Sequence, residues 1–129
     1  MKIDRRAFIE MFASLAVIDA SPALAQGKTV EVVMKNSPKG VFVPATVNIS
    51  VGDTVRWTNP SAIAHSVTFD PAQAATASDV ALPAGVAPFD SGNMGEDATF
   101  SHTFTVKGTY KYVCKFHEAM GMAGTVVVS

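Results

Sequence analysis

Cys114-Lys115-Phe116-His117-Glu118-Ala119-Met120-Gly121-Met122 gathers a thiol, an imidazole and two thioethers into one short stretch of chain. Upstream, Tyr110 and Tyr112 lead in period-2 register to Cys114, which therefore points inward. Downstream, Gly124 to Val128 is a β-branched run of the kind that forms a strand buried between neighbours. The stretch is thus a loop joining the last two strands. Soft sulfur donors select copper, and one Cys, two His and a long axial Met make up a blue-copper donor set. The loop supplies only one histidine. A second is available at His65, which opens an inward-facing row with Val67 and Phe69 after the break at Asn59-Pro60-Ser61. Both Met120 and Met122 are candidates for the axial place at this point.

The rest of the chain from residue 26 reads as further short strands. Thr29 to Lys35 alternates Val30, Val32 and Met34 against polar neighbours, with Val33 breaking the outer face. Asn36 to Gly40 is turn chemistry, and Phe42 and Pro44 follow in a short extended piece suited to a sheet edge. Val47, Ile49 and Val51 form one row, Gly52-Asp53 turns the chain, and Val55 and Trp57 resume the pattern. Phe100, His102, Phe104 and Val106 form another inward row, closed by Lys107-Gly108. Pro71 to Gly95 has no period and is read as a long surface connection with a short helical turn around residues 71–77. Seven to eight strands with Gly and Pro turns, and no helical repeat, predict an all-β, Greek-key β-sandwich.

Residues 1–25 differ from the remainder. Arg5-Arg6 precedes a modestly apolar stretch from Ala7 to Ala20, and Ala23-Leu24-Ala25 closes it, the pattern of an export signal of twin-arginine type. Glu10 and Asp19 interrupt the stretch, making it too short and too polar for a membrane span. Cleavage after Ala25 leaves a 26–129 domain and implies a periplasmic, exported protein. That domain keeps a net charge of −1, which gives no electrostatic case for nucleic acid or an anionic membrane surface. A single cysteine cannot form an internal disulfide, so Cys114 has another use or none.

Phe42-x-Pro44, Val51-Gly52-Asp53-Thr54-Val55-x-Trp57-x-Asn59, His65-Ser66-Val67-x-Phe69, Gly108-Thr109-Tyr110 and Cys114-x-x-His117-x-x-x-x-Met122-x-Gly124 follow one another along the chain. In that order they resemble the landmarks of the cupredoxin (type 1 blue copper) family, in its plastocyanin, amicyanin and pseudoazurin branches, over nearly all of the 26–129 domain. The resemblance implies one copper ion, cycling between Cu(I) and Cu(II), held by His65, Cys114 and His117. It also places the axial methionine two residues before Gly124, at Met122, with Met120 on the apolar rim. It implies an electron carrier and not an enzyme, monomeric, with redox proteins such as a periplasmic dehydrogenase or a c-type cytochrome as partners. The edge of His117 is then the expected doorway for the electron, with Cys114 and the adjacent Tyr112 or Val113 a second route. Two places depart from the family pattern: Phe116 stands where relatives usually have proline, and Ser66 where they usually have Asn.

Blander readings compete at each position. A lone buried Cys is usually a small core residue, and only its setting beside His117 and Met122 reverses that expectation. His102 matches no ligand position and is expected to be an ordinary core or edge histidine, while Met34 and Met94 are expected to be packing residues. Lys107, Lys111 and Lys115 are most simply solvated lysines. Cys114 with His117 as nucleophile and base lacks an orienting third group, and a multicopper enzyme would need further histidine clusters. A copper carrier or storage protein using the same ligands is the alternative function.

Overall fold

The computed structural model describes residues 27–129, so the expected leader lies outside the described residues. Among the described residues, nine strands form two mixed sheets. They are β1 (Thr29–Lys35), β2 (Val41–Val43), β3 (Thr46–Ile49), β4 (Thr54–Asn59), β5 (Thr68–Phe69), β6 (Phe89–Asp90), β7 (Ala98–Thr103), β8 (Gly108–Val113) and β9 (Ala123–Val128). One sheet has the order β7-β4-β1-β2 and the other β3-β9-β8-β5-β6, so the chain crosses repeatedly between layers, as the expected β-sandwich requires. The pairs β1/β4 and β3/β9 are parallel and the others antiparallel. Among the described residues no helix is long and apolar enough to cross a membrane.

Alternation dictates the core. Val32 and Met34 from β1, Val55 and Trp57 from β4, Tyr110 and Tyr112 from β8, and Val126 and Val128 from β9 turn inward and are buried. Trp57 is the hub: its ring meets Phe69 and Tyr112 edge-on, and its Nε1–H donates to Tyr112 Oη at 3.0 Å. That bond gives both polar handles a partner inside an otherwise apolar layer. Tyr110 Oη donates to the Val106 carbonyl at 2.7 Å, pinning the turn between β7 and β8 in the manner of a tyrosine corner.

Several expectations need correction. Val51 and Val106, read as ends of inward rows, are exposed, because each lies where the chain has already left the sheet to turn. In β9 only Gly124, Val126 and Val128 are buried; Thr125 and Val127 are half-buried, because the strand is central within its sheet but only one of its faces meets the opposing layer. The connection after β5 is better ordered than its sequence suggests. It contains 3-10 turns at Pro71–Gln73 and Ala77–Asp79, buries Val80, bridges Ala81 to Lys111, and contributes β6. Two-residue strands are too short to leave a periodic signal. His102 behaves as expected: it lies half-buried on the edge strand β7, stacked on Phe89 with ring centroids 3.8 Å apart, and burial lowers its pKa.

Candidate metal centre

At one end of the sandwich His65, Cys114 and His117 converge, with one donor atom from each lying within 4.8 Å of the others. Cys114 Sγ sits 3.6 Å from His65 Nδ1 and 3.4 Å from His117 Nδ1, and the two imidazoles tilt at 52° with centroids 4.8 Å apart. His65 and Cys114 are fully buried, whereas His117 is partly open to solvent.

Each ligand candidate is positioned by its own piece of chain. His65 does not open a regular strand; it precedes β5 and forms an isolated bridge with Met94, His65 N donating to Met94 O at 3.1 Å and Met94 N to His65 O at 2.8 Å. Buried Asn59 organises this bridge, since its Nδ2 donates to the carbonyls of Ile63 and Met94 while its Oδ1 accepts from Ser61. Met94, read from sequence as packing only, is buried and also aligns the histidine through its backbone. Residue-type reading could not find this pairing, because it uses main-chain atoms.

Cys114 follows directly on β8. The loop closes on itself through Cys114 N to Met122 O at 3.0 Å and His117 N to Cys114 O at 3.1 Å. A single 3-10 turn, Glu118–Met120, ends at Gly121, whose φ of +83° favours a residue without Cβ. The turn separates the two methionines: Met122 is fully buried and Met120 is 47% exposed. A Cβ placed on Gly40 would come 2.9 Å from Met122 Sδ and 3.6 Å from the His117 ring base, so the thioether and the imidazole both border Gly40.

The donor set fits copper. His65 Nε2–H donates to Asn36 Oδ1 at 2.8 Å, which fixes the tautomer and leaves the Nδ1 lone pair facing Cys114. Burial, with a smaller contribution from the nearby His117, lowers the His65 pKa and favours the neutral, ligating form. The Ser66 backbone N–H points at Cys114 Sγ at 3.4 Å, a donor suited to a sulfur that carries charge. Two imidazoles and a buried cysteine sulfur in one cluster, with the buried thioether of Met122 from the same loop, are the donor types of a type 1 copper site. Beyond the cluster, Phe116 and Ile63 are both 48% exposed and, with Met120, give this end of the molecule an apolar surface. Lys115 is not a free lysine: its Nζ bonds Asp90 at 3.1 Å and Gln73 at 2.7 Å.

Comparison with known proteins agrees with this geometry. Residues 26–129 match the family model of copper binding proteins, plastocyanin/azurin family. The chain is similar to chloroplastic plastocyanin of Tetradesmus obliquus, 33% identical over 120 residues, covering 90% of this chain and 77% of the relative. Plastocyanin of Vicia faba is 34% identical over 107 residues, covering 78% of this chain and 100% of the relative. Among solved structures, a reduced amicyanin variant superimposes with a TM-score of 0.60 at 32% identity, covering 78% of this chain and 82% of the other. A purple cupredoxin from Nitrosopumilus maritimus gives 0.59 at 27% identity, covering 78% of this chain and 99% of the other. Sandwich, donor set and sequence agree: the chain belongs to the plastocyanin/azurin family of copper binding proteins.

Proposed function

We propose that this chain is an exported, periplasmic carrier of single electrons, in which copper would be held by His65 Nδ1, Cys114 Sγ, His117 Nδ1 and Met122 Sδ. When bound there, copper supplies a one-electron couple between Cu(II) and Cu(I). The protein's contribution is to hold its donors still: His65 is fixed by Met94 and Asn36, and Cys114 and Met122 by the hairpin that closes the loop. A packed, hydrogen-bonded surround of this kind lets little move when the charge on the site changes.

The single observation that carries the reading is the convergence of Cys114 Sγ with both Nδ1 atoms in a buried cluster. His117 is the one of these three residues that reaches solvent, within the apolar surface of Phe116, Ile63 and Met120, so its edge is the doorway for the electron. The alternative exit beside Cys114 is disfavoured, because Tyr112 and Val113 are each only 1% exposed. A redox protein such as a periplasmic dehydrogenase or c-type cytochrome, presenting an apolar face, suits that surface. Arg5-Arg6 and Ala23-Leu24-Ala25 support export, and the domain works as a monomer.

Copper-loaded, oxidised protein is expected to be intensely blue from thiolate-to-copper charge transfer and to give a reversible one-electron voltammetric wave. Cys114→Ser abolishes both. A colourless copper form without a wave would overturn electron carriage in favour of a copper carrier or store. Mass analysis of the periplasmic protein, expected to start after Ala25, tests the export signal.

A further inference from the structure

Ser66 immediately follows His65 and is fully buried, and both its N–H and its hydroxyl are engaged beside Cys114. Its N–H points at Cys114 Sγ at 3.4 Å, and its Oγ accepts from the backbone N–H of Lys115 at 2.9 Å. The same Oγ lies 2.9 Å from Thr68 Oγ1, and Thr68 Oγ1 donates to Asp90 Oδ1 at 2.6 Å. Each hydroxyl owns one proton. Thr68 spends its proton on the carboxylate, so Ser66 must donate to Thr68, and the Ser66 oxygen is thereby left facing the Lys115 amide as an acceptor. Asp90 Oδ2 accepts from Gly92 N at 2.8 Å and from Lys115 Nζ at 3.1 Å. The chain of bonds therefore leaves residue 115 through its main chain and returns to it through its side chain.

We infer that the Ser66–Thr68 hydroxyl chain, polarised by Asp90, is a positioning device for Cys114: it holds the 65–66 and 114–115 segments together and keeps the Ser66 N–H on the cysteine sulfur. The inference rests on the proposed role of Cys114 as a copper ligand. Asp90 is held below the ordinary carboxylate range: burial pushes its pKa up, but the hydrogen bonds from Thr68, Gly92 and Lys115 and the charge of Lys115 outweigh it. An ionised carboxylate can only accept, so the direction of the whole chain is set from its far end. A donor on the sulfur withdraws charge from the thiolate, which favours Cu(I); loosening it favours Cu(II) and lowers the reduction potential.

The test compares Thr68→Val, nearly isosteric but unable to relay, with Thr68→Ser and Asp90→Asn. In metal-free protein, amide hydrogen exchange at Lys115 is expected to quicken about tenfold in Thr68→Val, equivalent to ~1.4 kcal/mol, and to return to the original rate in Thr68→Ser. In copper-loaded protein, Thr68→Val is expected to shift the reduction potential negative, whereas Asp90→Asn, which removes a negative charge, shifts it positive. Unchanged Lys115 exchange in Thr68→Val overturns the inference. So does a potential that moves in Asp90→Asn but not in Thr68→Val, which would make Asp90 a distant charge and nothing more. Absence of a blue copper form in the unaltered chain would refute the proposed function instead, and the exchange measurement would still decide the inference.

Discussion

Replacing Asn36 by Ala removes the acceptor that receives His65 Nε2–H at 2.8 Å. The imidazole keeps its Met94 backbone bridge, so its Cα does not move, but nothing then fixes which ring nitrogen carries the proton or how the ring is turned. Losing a partner of this kind on a metal-binding histidine typically lowers metal affinity about 10- to 100-fold, or ~1.4–2.7 kcal/mol. Asn36 is only half-buried, so water can replace its oxygen in part. The lower end of that range is therefore expected, about tenfold. Competition for Cu(I) against a chelator of known affinity, at neutral pH, measures it. Asn36→Asp keeps an acceptor oxygen and adds charge, so its affinity should equal or exceed that of the original. If Asn36→Ala folds normally and binds copper within about twofold of the original, the tautomer-fixing role of this hydrogen bond is refuted.

Three other perturbations separate parts of the site and core. Met122→Leu should retain the blue colour but raise the reduction potential by removing the axial sulfur, while Met120→Leu, at an exposed position, should leave the potential unchanged; the reverse pattern in voltammetry would make Met120 the axial residue. Gly124→Ala would thrust a methyl into the ring of Tyr112, its cross-strand partner, and should cost ~1–3 kcal/mol in a urea melt, more if the Trp57 bond is also lost; a change under about 0.5 kcal/mol would contradict the packing. Burial lowers the pKa of His102, so the unfolded chain takes up the proton first as pH falls below about 6.5. That contribution to stability is complete above this pH and is lost as pH falls through the folded pKa. In His102→Phe the decline of stability between about pH 7 and 5 should flatten, and an unaltered pH slope would discount the histidine.

The parts of this protein legible from sequence are those carried by side-chain type and alternation. Trp57, Tyr110 and Tyr112 announce their inward faces by period-2 spacing, and the crowding of Cys114, His117 and Met122 announces soft-metal chemistry. Strand β5 was legible from the His65, Val67 and Phe69 row but is shorter than that row, whereas the two-residue β6 was not legible, since its pairing is imposed by the sheet and leaves no repeat. Val51 and Val106 misled for a related reason: alternation continues past the point where a strand ends, and only the turn geometry shows where that is. Asn36 and Asn59 looked like turn formers. Their amides turn out to arrange His65, a role that depends on which distant backbone or ring atoms the fold brings within reach. Ser66 was visible as a departure from the family pattern, but its hydroxyl partners Thr68 and Asp90 could be identified only in three dimensions.

The hairpin made by β8 and β9 stays in register up to Val113 and Ala123, and the Cys114 N to Met122 O bond seals it. Cys114, His117 and Met122 therefore hang from a tether whose two ends are fixed next to each other, while His65 belongs to the opposite bank. Insertions or deletions inside the tether would reshape the spacing of three donors without disturbing either layer of the sandwich. Variation among related carriers can accordingly be grafted as a cassette, one segment at a time, with the scaffold serving as an unchanging socket.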